Sequence, residues 1–157
     1  MDSPRRDETP SLILDTHDPE FWDALSDELL PIQRKIVQQA RRLLKIAADD
    51  GVTILAGSDT GTNNSFLYPG DSLHAELEAM ADIGMSPRQA LQSATTNPAR
   101  WMGLDKMFGS VSPGSTADLV ILESNPLDDI SSTRSIVGVV QQGVYFDRAK
   151  LEELRKL

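Results

Sequence analysis

Apolar residues in the first third of the chain recur every three or four positions. From residue 32 to residue 48 they fill one face of a helix, and charged and amide side chains fill the opposite face, so this segment is predicted to be an amphipathic helix. Residues 20–30 have a helical pattern as well. Pro31 is expected to begin a new helix, because proline fits best at the first helical position. Gly51 is expected to end that helix in the left-handed conformation.

The pattern then changes to a short apolar run at residues 52–58, which begins with three β-branched side chains. A run that is apolar on both faces is typical of a buried parallel strand. Successive strand residues point to opposite faces, so alternate residues from Thr53 to Asp59 share one side, with Asp59 last. The loop at 60–70 is long enough to cover a site.

Further along the chain, helical patterns give way to β patterns. Asp71 is expected to cap a helix over residues 72–83, and Ser86-Pro87-Arg88-Gln89 has the residues of a capping box for a helix that runs to about residue 95. The remaining predicted elements are a strand at 118–123, a hairpin of 136–141 and 144–146 across Gln142-Gly143, and a charged helix from residue 147.

Composition restricts the classes of function. The chain has 157 residues, with 15 basic against 24 acidic side chains and a net charge of −9, which argues against nucleic acid and anionic membranes as partners. It contains no cysteine and two histidines, so thiolate metal sites are excluded. No apolar stretch approaches the roughly 20 residues that span a bilayer, and MDSPRRDETP lacks the apolar core of a signal peptide. We therefore expect a soluble, cytoplasmic protein, unless a signal peptide precedes this sequence.

Asp59 is the candidate for chemistry. Helices before and after the predicted strand indicate an α/β fold, in which the carboxyl ends of strands carry functional residues. An ionised aspartate there could bind a hard or borderline cation, or take a proton from an attacking water. An aspartate followed by Thr-Gly can equally serve only to bend the chain, and the pattern alone leaves both interpretations open.

Four stretches together resemble a known family. They are GVTILAGSD, SLHAELEAMADIGMSPRQALQSATTNPARWMGL, GSVSPGSTADLVILESNPLDDI and VVQQGVYF. In this order and spacing they are similar to the C-terminal part of the amidohydrolase superfamily, in particular its imidazolonepropionase-like and prolidase-like branch. The resemblance implies an α/β fold: the C-terminal fragment of a metal-dependent (β/α)₈ barrel plus part of a small β-sandwich subdomain.

The resemblance also implies a function, the hydrolysis of non-peptide C–N bonds or of Xaa-Pro-type dipeptides with a divalent metal, zinc above all. It makes residues 52–58 the eighth barrel strand and Asp59 the catalytic residue, which binds the metal and moves the proton of the attacking water. Residues 9–12 are similar to the seventh strand. The implied divisions are a loose N-terminus at 1–10, a barrel segment at 11–104, a β-sandwich segment at 105–147 and a C-terminal helix at 148–157.

The chain also departs from the family pattern. The family's other metal ligands have no counterpart, and only 58 residues precede Asp59, whereas a complete barrel takes about 250. His74 matches the family's Ser-Leu-His-x-Glu-Leu stretch, which implies a substrate or second-shell role, whereas a histidine hydrogen-bonded at a helix N-terminus is the alternative. His17 is expected in a loop. The isolated chain is therefore expected to be inactive, to hold metal weakly, and to self-associate or to bind a complementing chain.

Two other classes of function remain. Asp59-Thr60-Gly61-Thr62 is also the Asp-Thr-Gly-Thr signature of aspartic proteases, in which two aspartates share a proton. No second Asp-Thr-Gly occurs in the chain, so a dimer would have to supply the other carboxylate. The chain could also be a non-catalytic truncated fragment or an interaction module, since one carboxylate does not make a zinc site.

Overall fold

The computed structural model describes residues 19–60 and 68–154. The predictions for residues 1–18, namely the loose N-terminus, the strand like the family's seventh and the loop around His17, lie outside the described residues, as does most of the loop at 60–70. Within the described part the chain combines helices with one small sheet. None of its helices has the length and apolar content needed to cross a bilayer.

Helix α1 spans Pro19–Asp49, with Pro31 inside it. The prediction of a new helix at Pro31 is therefore wrong: the amphipathic pattern continues on both sides of the proline, and one missing N–H does not end the helix. Among the α1 side chains that the structure describes, Ala48 is buried in the core and Leu44 packs beside it. Gly51 ends the helix with a positive φ of 77°, as expected.

Residues 52–60 form no β-strand, so the predicted buried strand at 52–58 is wrong for this chain. Exposure nevertheless alternates with the period of two of an extended segment: Ile54 and Ala56 are half-buried, whereas Leu55 is exposed. A strand needs a neighbouring backbone to complete its hydrogen bonds, and no strand pairs with this segment in the described structure. We call residues 52–59 the extended segment.

Three helices pack under the extended segment: α2 at Asp71–Asp82, α3 at Pro87–Ala94 and α4 at Thr96–Trp101. The predicted capping box is confirmed, because the Ser86 side chain accepts from the Gln89 backbone and the Gln89 side chain accepts from Ser86 N–H. Asp71 is not the cap of α2 but its first residue, after Gly70. The buried core residues are Ala48, Leu77, Met80, Met85, Ala90 and Ile130.

The C-terminal part is a three-stranded antiparallel sheet in the order β1-β2-β3. Its strands are β1 at Leu119–Leu122, β2 at Ile136–Gln141 and β3 at Val144–Asp147, followed by helix α5 at Arg148–Leu154. The predicted hairpin is confirmed, with Val140 opposite Tyr145. Its two turn residues, Gln142 and Gly143, both have positive φ, at 49° and 82°, as a tight hairpin turn requires.

A 3₁₀ helix at Ile130–Arg134 lies between β1 and β2 and joins the sheet to α2. Its first residue, Ile130, is buried in the same core as Leu77 and Met80 of α2. The 3₁₀ helix therefore connects the sheet to the core of the helical part. The division of the chain at residues 104 and 147 stays a prediction.

Candidate active site

The extended segment is held to the helices by its backbone. The N–H of Ala56 donates to the carbonyl of Ser93 at 2.9 Å, and the Asn97 side-chain amide donates to the carbonyl of Ile54 at 3.0 Å. These two bonds hold adjacent peptide groups of the extended segment. In the described structure no strand pairs with these groups. The Asn-Pro sequence at 97–98 thus has a structural role, because Asn97 anchors the segment that leads to Asp59.

Asp59 lies at the end of this segment. The exposed side of the segment carries Leu55 and Asp59, while Ile54 and Ala56 contact the core on the other side. Asp59 is therefore exposed, three residues after the anchored Ala56. At about 3.3 Å per residue, this anchor is within about 10 Å of the carboxylate-bearing residue.

The backbone is left-handed at Asp59, where φ is +48°. Left-handed φ is uncommon outside glycine, and aspartate is among the residues that tolerate it best. On either side of Asp59, the Ser58 and Thr60 hydroxyls are 2.8 Å apart and share a hydrogen bond. The left-handed φ of Asp59 is compatible with a residue that bends the chain. That interpretation and the catalytic assignment both stay predictions.

His74 lies on α2, half-buried, with its Nδ1 3.1 Å from the Thr133 hydroxyl. That hydroxyl donates its single proton to the carbonyl of Ile130 at 2.9 Å. It must therefore accept the bond from His74, which places a proton on Nδ1. The contact ties α2 to the 3₁₀ helix, while the predicted substrate or second-shell role of His74 stays a prediction.

A guanidinium beside His74 joins the same two elements. Arg134 donates from Nε and Nη2 to the Glu78 carboxylate at 2.6 and 3.1 Å, and from Nη1 to Asp71 at 2.7 Å. The bond to Glu78 is the main reason that the pKa of Arg134 is raised further above its ordinary value. Sequence reasoning missed Arg134. The available signal was the spacing of Asp71, His74 and Glu78, which places three polar side chains on one face of a helix.

The described residues do not form a metal site by themselves. Within residues 19–60 and 68–154, no group of three histidine, cysteine, aspartate or glutamate residues is arranged to hold a metal ion. The Asp59 carboxylate has the oxygen donors that divalent cations use, but a zinc site takes three or four protein ligands. Asp59 alone therefore does not meet the requirement.

Comparisons with known proteins extend this picture. Imidazolonepropionase from Thermoplasma volcanium is 28% identical over 126 residues, which cover 78% of this chain and 30% of that protein. An adenine deaminase from Ligilactobacillus salivarius is 33% identical over 98 residues, covering 61% of this chain and 16% of the relative. A solved Xaa-Pro dipeptidase structure with bound methionine superposes with a TM-score of 0.59 and 28% identity, over 70% of this chain and 26% of that one.

These neighbours share an α/β fold, of which this chain carries a C-terminal part. The sequence model of the Amidohydrolase family matches residues 11–145. The chain belongs to that family, as the four motifs indicated. It spans between 16% and 30% of the length of the two curated relatives named above.

Proposed function

We propose that this chain contributes to metal-dependent hydrolysis of a C–N bond in a small molecule. The observation that carries the proposal is the family match over residues 11–145, together with Asp59 on the exposed side of the extended segment, opposite the core. A residue in this position can face a substrate while the backbone behind it is fixed by Ser93 and Asn97.

The proposed substrate class is a non-peptide C–N bond or an Xaa-Pro-type dipeptide. Support comes from the names of the relatives, which include an adenine deaminase, an imidazolonepropionase and an Xaa-Pro dipeptidase. These names differ in substrate but agree in acting on carbon–nitrogen bonds. The bond type is therefore a firmer proposal than any single molecule.

The proposed role of Asp59 is that of metal ligand and general base. Its carboxylate would supply one oxygen ligand to a divalent ion, most suitably zinc, and would hold the proton removed from the attacking water. When bound, the metal would supply Lewis-acid activation. At most two of the ligands could come from the described residues, because these residues hold no group of three candidate ligands.

The first prediction tests this role with Asp59→Asn, in a fusion that joins this chain to the earlier barrel strands of a family member. The amide keeps the size of the side chain but is a poor metal ligand and no base. Turnover of a proline dipeptide should fall by about 10²–10⁴-fold, and zinc content measured by mass spectrometry should fall with it. Asp105→Asn, in an exposed turn, removes the same charge and should leave both unchanged.

A fusion whose Asp59→Asn variant binds zinc and hydrolyses the dipeptide at the unsubstituted rate would refute the role of Asp59. If the unsubstituted fusion binds zinc but does not hydrolyse the dipeptide, adenine and imidazolone substrates should be assayed next. The substrate class and the metal ligand are separate parts of the proposal. If no substrate of these classes is turned over by the zinc-loaded fusion, the proposed reaction is wrong.

A second proposal, a non-catalytic role for the chain on its own, is favoured by the same ligand count. The aspartic protease alternative has less support. Helices precede and follow Asp59, with α1 before it and α2 to α4 after it, whereas aspartic proteases are almost entirely β. Pepstatin-sensitive proteolysis at acid pH would be the observation in its favour.

A further inference from the structure

Helix α1 carries a row of exposed apolar side chains. Ile32, Ile36, Leu43 and Ile46 are 53%, 61%, 65% and 56% exposed. The contacts of α1 with the core are made by other residues, Leu44 and Ala48. The packing of α1 within the described structure therefore leaves this row uncovered, and a row of this size on a soluble domain indicates an interaction surface.

The row has the spacing of a coiled coil. Two series of residues have a spacing of seven. One series contains Ile36 and Leu43, and the other contains Ile32, Gln39 and Ile46. These spacings define the a and d positions of a heptad. Because α1 is one continuous helix from Pro19, the heptad extends towards its N-terminus. The a positions are Trp22, Leu29, Ile36 and Leu43, and the d positions are Leu25, Ile32, Gln39 and Ile46. We call these eight positions the α1 seam.

Charge is segregated along the same helix. Its first part, up to residue 30, carries only acidic charges, at Glu20, Asp23, Asp27 and Glu28, and the part from 34 to 45 carries only basic charges, at Arg34, Lys35, Arg41, Arg42 and Lys45. The helix dipole favours such an order only within the first and last turns. The last turn of α1 holds no basic residue, so the dipole does not explain the basic part.

A groove lies beside the basic part of α1. It has a volume of about 450 Å³ and is lined by Arg41, Arg42, Lys45, Ile46 and Ile83. Three cationic side chains around two isoleucines suit a segment that is acidic and apolar at once. The first part of α1, with acidic residues around Trp22 and Leu25, has that composition.

We infer that α1 is a self-association surface, on which a second copy of the chain docks its own α1 in antiparallel orientation. This orientation places the acidic part of each helix along the basic part of the other, whereas a parallel pair would oppose like charges. Opposite pairs across the seam would be 22 with 46, 25 with 43, 29 with 39 and 32 with 36. Gln39 is the one polar position, and a single polar a or d residue sets register at some cost in stability.

The first test is sedimentation equilibrium of the whole chain at increasing concentration. The mass should rise from 17.2 kDa towards twice that value, and Ile36→Glu with Leu43→Glu should raise the dissociation constant by at least about tenfold, because two buried apolar contacts are replaced by charges. Val111→Glu, at a loop residue that is 86% exposed, is the matched control and should leave association unchanged. Raising the salt concentration should weaken the dimer.

The second test measures orientation and does not depend on how the glutamate variants fold. The chain has no cysteine, so single cysteines give unambiguous cross-links. A mixture of Leu25→Cys and Leu43→Cys chains should form a disulfide-linked dimer. Leu43→Cys alone should not, because the two copies of residue 43 would lie about 27 Å apart at 1.5 Å per residue, far beyond the roughly 4–7 Å that a disulfide spans.

Three outcomes would overturn the inference. The inference would be wrong if the chain stays monomeric at every concentration. It would also be wrong if the Ile36→Glu, Leu43→Glu double variant is folded and still forms the dimer. A cross-linked dimer from Leu43→Cys alone would show parallel pairing. None of these outcomes bears on Asp59, so the proposed hydrolytic function is tested separately.

Discussion

One hydroxyl group connects the two parts of the molecule. Thr133 is 6% exposed, accepts from His74 and donates to Ile130. Both hydrogen bonds of this hydroxyl are made to protein groups, at a buried residue. Water therefore cannot replace a lost partner at low cost. The motif around His74 drew attention to the histidine, but its partner is 59 residues away in the sequence. That distance is why sequence reasoning did not find the contact.

The second prediction concerns this hydroxyl. Thr133→Val keeps the shape of the side chain but leaves His74 Nδ1 without its acceptor, and should lower the free energy of unfolding by about 1–3 kcal/mol. The matched control is Thr96→Val. Within the described residues the buried Thr96 hydroxyl has no hydrogen-bond partner, so its removal should be neutral or stabilising. Urea unfolding of both variants measures the difference, and equal losses would contradict the assigned role of Thr133.

The third prediction concerns pH. The Asp129 carboxylate caps the 3₁₀ helix by accepting from the backbone N–H of Ser131 at 2.9 Å. This bond, with a second from the Ser131 side chain, lowers the pKa of Asp129. Because the folded pKa lies below the unfolded value of about 3.9, the stabilisation is present above that value and is lost as pH falls through the folded pKa.

Melting temperatures of the chain and of Asp129→Ala should therefore differ at pH 7 and converge as the pH falls below the unfolded pKa of about 3.9 and through the lower folded pKa. Asp129→Asn, which can accept the bond but cannot ionise, should lack the same pH-dependent part. A difference that is constant from pH 7 to pH 2 would show that the charge of Asp129 contributes nothing.

At the scale of elements, local signals predicted local structure. The capping box at Ser86 and the hairpin turn at Gln142-Gly143 involve residues two or three apart, and both are confirmed. The strand at 52–58 was wrong because a strand depends on neighbours that local sequence does not specify. The period of two survived in the exposure of Ile54, Leu55 and Ala56, so the pattern predicted the face of each side chain but not the pairing.

The fourth prediction concerns Gly109, in the connection between α4 and the sheet. Its φ is +83°, and an added Cβ would lie 2.7 Å from the Thr95 carbonyl oxygen and 2.8 Å from the Ala99 Cβ. Gly114 has a φ of +90° with nothing within 4 Å of an added Cβ. Gly114→Ala should cost about 1–2 kcal/mol from backbone conformation alone. Gly109→Ala should cost about 1–3 kcal/mol more, because the methyl group also overlaps α4.

Chemical unfolding of the two alanine variants measures this difference. A similar loss of unfolding free energy in both variants would mean that Gly109 is required only for its φ. It would also mean that the connection is not tightly packed against α4 at this position.

At the scale of the whole molecule, the part of the chain that the structure describes buries few apolar residues. Its core cluster comprises six residues, and many large apolar side chains remain exposed, Trp101 at 74% and Val111 at 86% among them. The family was predictable from the ordered motifs, and so was the order of the helices along the chain. The exposed fraction of each apolar side chain was not predictable, because it depends on contacts between distant parts of the chain.

The fifth prediction is that the isolated 157-residue chain binds zinc in less than stoichiometric amounts and does not hydrolyse proline dipeptides. A single carboxylate leaves most of the coordination positions to water. Metal analysis after size-exclusion chromatography, with a dipeptide assay on the same fractions, measures both properties. Asp59→Asn is the control and should show the same low metal content. Stoichiometric zinc with turnover in the unsubstituted chain would show that the chain forms a complete site.

Pro31 has a consequence for cooperativity. It has no N–H, so the i→i−4 ladder of α1 lacks the bond to the Asp27 carbonyl. The helix stays continuous, but its hydrogen-bond ladder is weakened next to the first stretch, the twelve residues that precede the proline. A stretch of about 12 residues is marginally helical on its own in water. The order of the first stretch should therefore follow protein concentration, with helix content rising as α1 finds its partner.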